Sequence, residues 1–226
     1  MCMSEYIKDL AQTRLFSGIE TGEIAGLLDC IKAKRIEYKK DEFIIEEGNL
    51  VYDFGIMLSG HGRAIKWDMN DKVIIISLLE PGSEIGIILA ASLEHKSPVS
   101  VQAQGDASVL SMPFEGIFSR CQKTCPQHDR LLRNFIHIIA EKGLLLHERM
   151  DCLLKPTVRE KIFTYLTRVA GEQRSRIISV PINRNALAEY LNVERSALSR
   201  ELSRMKCEGL IDYHRNSFQL SGEFSG

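Results

Sequence analysis

Between Arg35 and Met112 no hydrophobic period lasts for more than a few residues, and this limits the fold more than any other feature of the chain. Four runs, "RIEYKKDEFIIEEGN", "YDFGIMLSGHGRAIKWD", "DKVIIISLLEPGS" and "SPVSVQAQGDASVLSM", are short and either apolar or alternating. Turn-forming clusters punctuate them: Glu-Gly-Asn, Ser-Gly-His-Gly, Met-Asn-Asp, Pro-Gly-Ser and Gly-Asp. Strands of this length separated by tight turns predict an antiparallel β-sandwich or barrel. Within it, "PGSEIGIILAASL" reads as a short helix.

Helical spacing flanks this region. "EYIKDLAQTRLF" and "ETGEIAGLLDCI" predict helix over residues 4–32, with Ile24, Leu27, Leu28 and Ile31 on one stripe. The β texture stops near Phe114. After Pro126 comes "HDRLLRNFIHIIAEKGLLLHERMDCLL", where Leu132, Phe135, Ile139, Leu146, Met150 and Leu153 recur at three- and four-residue steps. Leu131, Ile138 and Leu145 widen that stripe, so the helix needs cover on two sides. One side fits the barrel; the other suits a twin helix in a homodimer. Gly143 costs about 1 kcal/mol inside a helix, which is tolerable where it lets a neighbour come close. Pro156 then marks a break. In "TVREKIFTYLTRVAG", Ile162, Tyr165, Leu166 and Val169 predict a further helix ended by Gly171, and "RIISVPI" reads as a strand. Three segments follow: 1–125, 126–154 and 155–226.

Composition narrows the function classes. The 226 residues are 44% hydrophobic and 26% charged, and no apolar run approaches the length of a membrane span. "MCMSEYIKDL" is acidic and polar where a signal peptide would be basic and then apolar, so a cytoplasmic location with no membrane partner is expected. Six cysteines (Cys2, Cys30, Cys121, Cys125, Cys152 and Cys207) are expected as reduced thiols, and no metal site is assigned. The C-x3-C of Cys121 and Cys125 is a weak metal spacing, although an iron–sulfur cluster drawn from Cys2, Cys30, Cys121 and Cys125 stays open. From Lys155 onward twelve Lys/Arg face eight Asp/Glu, a balance of +4 that leaves −5 on residues 1–154. The basic end hints at a polyanion partner. No P-loop, H-E-x-x-H or G-x-S-x-G motif is present, and His61, His95, His128, His137, His147 and His214 are scattered, so no catalytic residue is assigned. His95 is the histidine to inspect for a haem or metal role.

The sharpest signal is "NRNALAEYLNVERSALSRELSRMKCEGLI". Asn183 is a fit N-cap for a helix whose Leu187, Tyr190 and Leu191 face inward. Asn192 stands where the chain must turn sharply, and Asn tolerates the left-handed conformation. Val193 plugs the turn. In the next helix Leu198, Leu202 and Met205 form one stripe; Ser196, Ser199, Arg200 and Ser203 fall opposite, with Arg195 at the N-terminal end. The helix is expected to end at Cys207 with a stop at Gly209, and "LIDYHRNSFQL" reads as two strands about Arg215-Asn216. Helix, tight turn, helix and hairpin make a winged helix-turn-helix, whose second helix enters the major groove. Serine can donate or accept there, and arginine can grip guanine O6 and N7 with two bonds. A solvated surface helix remains the bland alternative, but Ser196, Ser199, Arg200 and Arg195 in this motif read as base-contacting residues.

These segments resemble, over essentially the full length, the bacterial cyclic-AMP receptor protein and fumarate-nitrate reductase regulator (Crp/Fnr) superfamily. "EEGN", "LSGHGRAI", "LLEPGSEIG", "TVREKIFTYL" and above all "LNVERSALSREL" carry the resemblance. It implies an α+β fold: an N-terminal double-stranded β-helix (jelly-roll, cyclic-nucleotide-binding-like) that senses an effector, a long dimerisation helix and a C-terminal winged helix-turn-helix. It further implies double-stranded DNA, a second copy of the chain and RNA polymerase as partners. Arg195, Ser196, Ser199 and Arg200 match the family's base readers, and Arg184 with Asn183 its phosphate contacts. Glu194 departs from the Ser or Thr that usually caps the reading helix.

The effector segment departs further. Cyclic-AMP-binding relatives carry Gly-Glu after the Pro-Gly turn and, ten residues later, an Arg followed by Ser or Thr. Aligned from Gly86, this chain has Ile87 for the Glu, then Ile88, and Ser97 and Pro98 for the later pair. Each charged hydrogen-bonding partner contributes about 1.5–3 kcal/mol, so losing two removes roughly two to four decades of affinity. No cofactor is assigned and cyclic AMP is not expected; an apolar or uncharged effector, a partner protein or no ligand is. Two other readings compete: a redox, haem or iron–sulfur sensor regulator, and a protein-binding module without sequence-specific DNA binding.

Overall fold

The computed structural model describes residues 3–67, 69, 73–118, 126–180 and 182–221. The chain divides into two compact units, Met1–Ala140 and Glu141–Gly226.

The first unit opens with α1 (Met3–Ala11) and α2 (Thr21–Cys30). Then come β1 (Lys34–Tyr38), β2 (Phe43–Ile45), β3 (Asp53–Ser59), β4 (Gly62–Trp67), β5 (Val73–Leu79) and β6 (Glu84–Ile85). The short helix α3 (Ile87–Ala90) interrupts the strands as expected, before β7 (Ser100–Ala103), β8 (Ala107–Pro113) and α4 (Phe114–Phe118). The strands form two antiparallel four-stranded sheets, ordered β1-β8-β3-β6 and β2-β7-β4-β5.

Alternation along β3 and β8 divides the core. Met57 and Val109 face inward and pack with Ala64, Leu79, Ile85 and Val101 between the sheets. Phe54, Ile56, Leu110 and Met112 face outward, under Leu10, Ile24, Leu28 and other helical side chains. Both faces of the middle of β3 are therefore buried, and residues 54–58 are continuously apolar rather than alternating, between the exposed Asp53 and the half-buried Ser59 at its ends. Gly60, at φ 80° in the Ser-Gly-His-Gly turn, is required sterically: a Cβ there would lie 2.4 Å from the Asp106 carbonyl oxygen.

The helix α5 (Pro126–Leu154) begins in the first unit and ends in the second. Leu131, Phe135 and Ile138 are buried against the outer face of the first sheet, with the Phe135 ring 5.0 Å from that of Phe54. No described helix is long and apolar enough to cross a membrane.

In the second unit a capping box starts α6 (Val158–Gln173): the Glu160 N–H donates to Thr157 Oγ1, and the Thr157 N–H donates to the Glu160 carboxylate. Gly171 does not end this helix. It continues to Gln173 and stops at Arg174, at φ 46°. The rest is β9 (Ile177–Ser179), α7 (Arg184–Tyr190), α8 (Arg195–Cys207), β10 (Ile211–His214) and β11 (Ser217–Leu220). The strands form one antiparallel sheet, β10-β11-β9. Ile162, Leu166, Leu187, Leu198, Leu202, Met205 and Phe218 close a single core against Cys152 from the end of α5.

Candidate nucleic-acid interface and effector segment

The turn between α7 and α8 follows from three residues. Asn183 Oδ1 accepts the Ala186 N–H at 3.0 Å and caps α7. Asn192 adopts φ 49°, and the Val193 N–H returns to the Ala188 carbonyl at 3.0 Å while its side chain packs on the core. Glu194 has extended backbone geometry but makes no side-chain cap bond. The first N–H groups of α8 are thus left without the hydroxyl cap expected from related chains.

Leu198, Leu202 and Met205 are buried, at 0%, 1% and 0% exposure. Each contributes about 1.5–3 kcal/mol by leaving water, which fixes the rotation of α8 about its own axis. Arg195, Ser196, Ser199, Arg200 and Ser203 are accordingly exposed. Among the described residues neither Arg195 nor Arg200 has an ion-pair partner. Neighbouring arginines are committed. Arg159 on α6 donates through Nε to Glu201 at 2.6 Å, and through both terminal nitrogens to Glu208 at 2.7 and 2.8 Å. This bidentate grip holds the Glu208 carboxyl below the usual carboxylate range and raises Arg159 further still. Arg204 reaches Glu201 at 3.3 Å.

The hairpin β10–β11 turns at Arg215, at φ 52°, and is gripped from two helices. Lys206 of α8 pairs with Asp212 at 2.5 Å and lies 5.3 Å from the Tyr213 ring centroid. That bond raises the Lys206 ammonium and lowers the Asp212 carboxyl. Arg184 of α7 stacks on Tyr213 and Phe218, 4.8 and 4.6 Å from their centroids, and donates to the Arg215 carbonyl at 3.1 Å. Burial lowers its pKa. The residue that resemblance offered as a phosphate contact is thus half-buried and fixes the wing. Asn183 is exposed beside it.

The effector segment holds no cation at the positions aligned to the cyclic-nucleotide ligands. Gly86 is left-handed at φ 68°, where a Cβ would meet Ile45, Val51 and the Asp53 carbonyl oxygen at 3.2–3.3 Å. Ile87 is buried and Ile88 is 41% exposed. Ser97 is buried, its hydroxyl donating to the Val99 carbonyl at 2.7 Å, and Pro98 is exposed. His95 adopts φ 54°; its ring lies 4.6 Å from that of Tyr52, and its buried Nδ1 has no hydrogen-bond partner among the described residues. Cys2, Cys121 and Cys125 lie outside the described residues, while Cys30 is exposed at the end of α2. Among the described residues no three His, Cys, Asp or Glu side chains cluster as a metal site.

Two family profiles match the chain: "Cyclic nucleotide-binding domain" over residues 35–124 and "Crp-like helix-turn-helix domain" over residues 160–221. The transcriptional activator protein anr of Pseudomonas aeruginosa is 27% identical over 198 residues, covering 81% of this chain and 75% of that protein. The transcriptional activator protein FnrA of Stutzerimonas stutzeri is 25% identical over 190 residues, covering 82% and 75%. In fold, the catabolite activator protein of Thermus thermophilus superposes with a TM-score of 0.55 at 19% identity, covering 92% of this chain and 94% of that one. A CooA mutant from Carboxydothermus hydrogenoformans gives 0.57 at 17%, covering 93% and 95%. A β-roll, a long helix and a winged helix-turn-helix in this order, matched in both units, place the chain in the Crp/Fnr family of DNA-binding transcription regulators.

Proposed function

We propose that the chain acts in the cytoplasm as a homodimer that reads near-palindromic operators, with Arg195, Ser196, Ser199 and Arg200 contacting base edges and Asn183 and Arg184 positioned beside the phosphates. One observation carries the reading. The core face of α8 is fully buried, so its exposed face is set, and the arginines on it are unpartnered among the described residues while Arg159, Arg184 and Arg204 are engaged. Unpaired arginine beside small hydroxyl side chains matches the hydrogen-bonding pattern of the major groove.

The assembly rests on α5. Ile136, Gly143 and Met150 are spaced by seven, as are Ile139, Leu146 and Leu153, which gives alternating three- and four-residue steps. Ile136, Leu146 and Met150 are 55–57% exposed, and a Cβ on Gly143 would meet nothing within 4 Å. A second α5 about a two-fold axis covers this seam and sets two reading helices roughly one DNA turn, about 34 Å, apart. RNA polymerase is the further partner that the family relationship supports.

Selection from random duplexes tests the reading. Enrichment of a near-palindromic site is the expected result. Retention of duplex without sequence enrichment, or of none, favours a protein-binding module instead.

The controlling effector in this proposal is not cyclic AMP or cyclic GMP, because Ile87, Ser97 and Pro98 supply no charge for the ribose or the phosphate. Calorimetry is expected to show no micromolar binding. Micromolar binding that disappears in Lys96→Ala would mean that the exposed Lys96 replaces the missing Arg.

A further inference from the structure

A cavity of about 480 Å³ opens in the first unit beside the segment 43–55. Its lining includes none of Gly86, Ile87, Ile88, Ser97 or Pro98. The floor is apolar, formed by the buried residues Ile85 and Val109 of the inter-sheet core, while Phe54 turns its ring away to the outer face. Gly55 leaves Val109 its place, since a Cβ there would lie 2.8 Å from Val109 Cγ1. Two carboxylates, Glu46 and Asp53, are exposed on the lining, and no Lys, Arg or His lines it among the described residues. Tyr38, Phe43 and Tyr52 add three aromatic rings.

The rim is held in place before any ligand arrives. The Gly48 N–H donates to the Ser97 carbonyl at 2.7 Å, the Val51 N–H to the His95 carbonyl at 2.8 Å, and the Ser97 N–H to the Asn49 carbonyl at 3.0 Å. Ser111 Oγ donates to Asp53 Oδ2 at 2.9 Å and orients that carboxylate. The volume lies within the range of small-molecule sites, which are largely preformed.

We infer that this cavity is a binding site for a small organic ammonium ion with an apolar or aromatic body. The charge selects the class: carboxylates that have no ion-pair partner among the described residues repel anions, and the π faces of aromatic rings attract ammonium groups. The apolar floor takes the body, and the wet rim keeps the cationic head partly hydrated. The inference rests on the effector-controlled regulator reading and replaces the expected uncharged effector by an amphipathic cation.

Three probes share one body and differ in charge: phenethylamine, 2-phenylethanol and phenylacetate. Titrated into the full-length protein and followed by NMR, phenethylamine should bind at least about fivefold more tightly than 2-phenylethanol, with phenylacetate weakest. Glu46→Gln with Asp53→Asn alters only exposed side chains and should abolish that order; Val109→Trp should fill the floor and block all three. Equal or tighter binding of phenylacetate, binding of none, or a charge preference that survives the double variant would overturn the assignment. The same preparations are tested for duplex selection. Operator binding without ammonium binding sinks the cavity assignment alone, and ammonium binding without operator binding sinks the regulator reading alone.

Discussion

Helices α5 and α8 solve the same problem and leave opposite remainders. Each buries one face in a core: Leu131, Phe135 and Ile138 on α5, and Leu198, Leu202 and Met205 on α8. The face left over on α5 is Ile136, Leu146 and Met150, with Gly143 open between them. The face left over on α8 is Arg195, Ser196, Ser199 and Arg200. A buried face reveals only that a helix belongs to a fold. In the proposed function the chemistry of the open face sets what it meets: another apolar helix in one case, a polyanion with hydrogen-bonding edges in the other.

Placing a charge in the α5 seam breaks the comparison most severely. Ile139→Asp is expected to yield monomers by sedimentation and to weaken operator binding by about two decades or more, because the second half-site is no longer tethered to the first. A wild-type chain that stays monomeric at micromolar concentration, with and without DNA, removes the role given to α5.

On α8 the expected effect is smaller and more specific. Arg200→Ala should lose about 1–3 kcal/mol of operator affinity and relax the preference at one base pair per half-site. Unchanged base preference on a selected site would return Arg200 to an ordinary solvated face.

Arg184 sharpens the contrast between open and engaged arginines. Its guanidinium lies on Tyr213 and Phe218, so Arg184→Ala should lower the unfolding free energy by about 1–2 kcal/mol and weaken all DNA sequences alike. Loss of affinity with unchanged thermal stability would make Arg184 a pure phosphate contact.

The smallest effect concerns pH. Arg159 holds the Glu208 carboxyl below its ordinary range, so the pair stabilises the folded state above the unfolded carboxylate pKa. That contribution is lost as pH falls through the lower, folded value. Arg159→Gln should flatten the acid limb of stability against pH and leave neutral-pH base preference unchanged; an unaltered acid limb would show that the grip is not coupled to folding.

Legibility differed by region. The turn at Asn192, the cap at Asn183 and the three-residue stripe of α8 were readable, because each depends on neighbours within four residues. The α5 seam was only half readable. Periodicity grouped Phe135 with Ile139 and Leu146, but packing against Phe54 turns Phe135 inward and leaves Ile136 on the open side. A stripe this wide does not say which edge the sheet takes. Gly171 misled because a glycine within a helix is tolerated; the exposed last turn is tied by the Gln173 side chain to the Ser179 backbone, and Arg174 took the left-handed position instead.

Local spacing alone determined the order of parts in this protein: short strands, a long helix and a winged helix-turn-helix, with Arg195, Ser196, Ser199 and Arg200 on one face. Hydrophobic period and turn chemistry act over a few residues, so they are written in the chain itself. Tertiary structure decided which arginines remain open. Arg159 meets Glu208 across 49 positions and Arg184 meets the Arg215 carbonyl across 31, and no local pattern encodes either meeting. It also decided where the first unit is hollow. The cavity beside Glu46 and Asp53 is bounded by segments from Tyr38 to Ser111, and a void belongs to the packing of many side chains rather than to any one stretch of sequence.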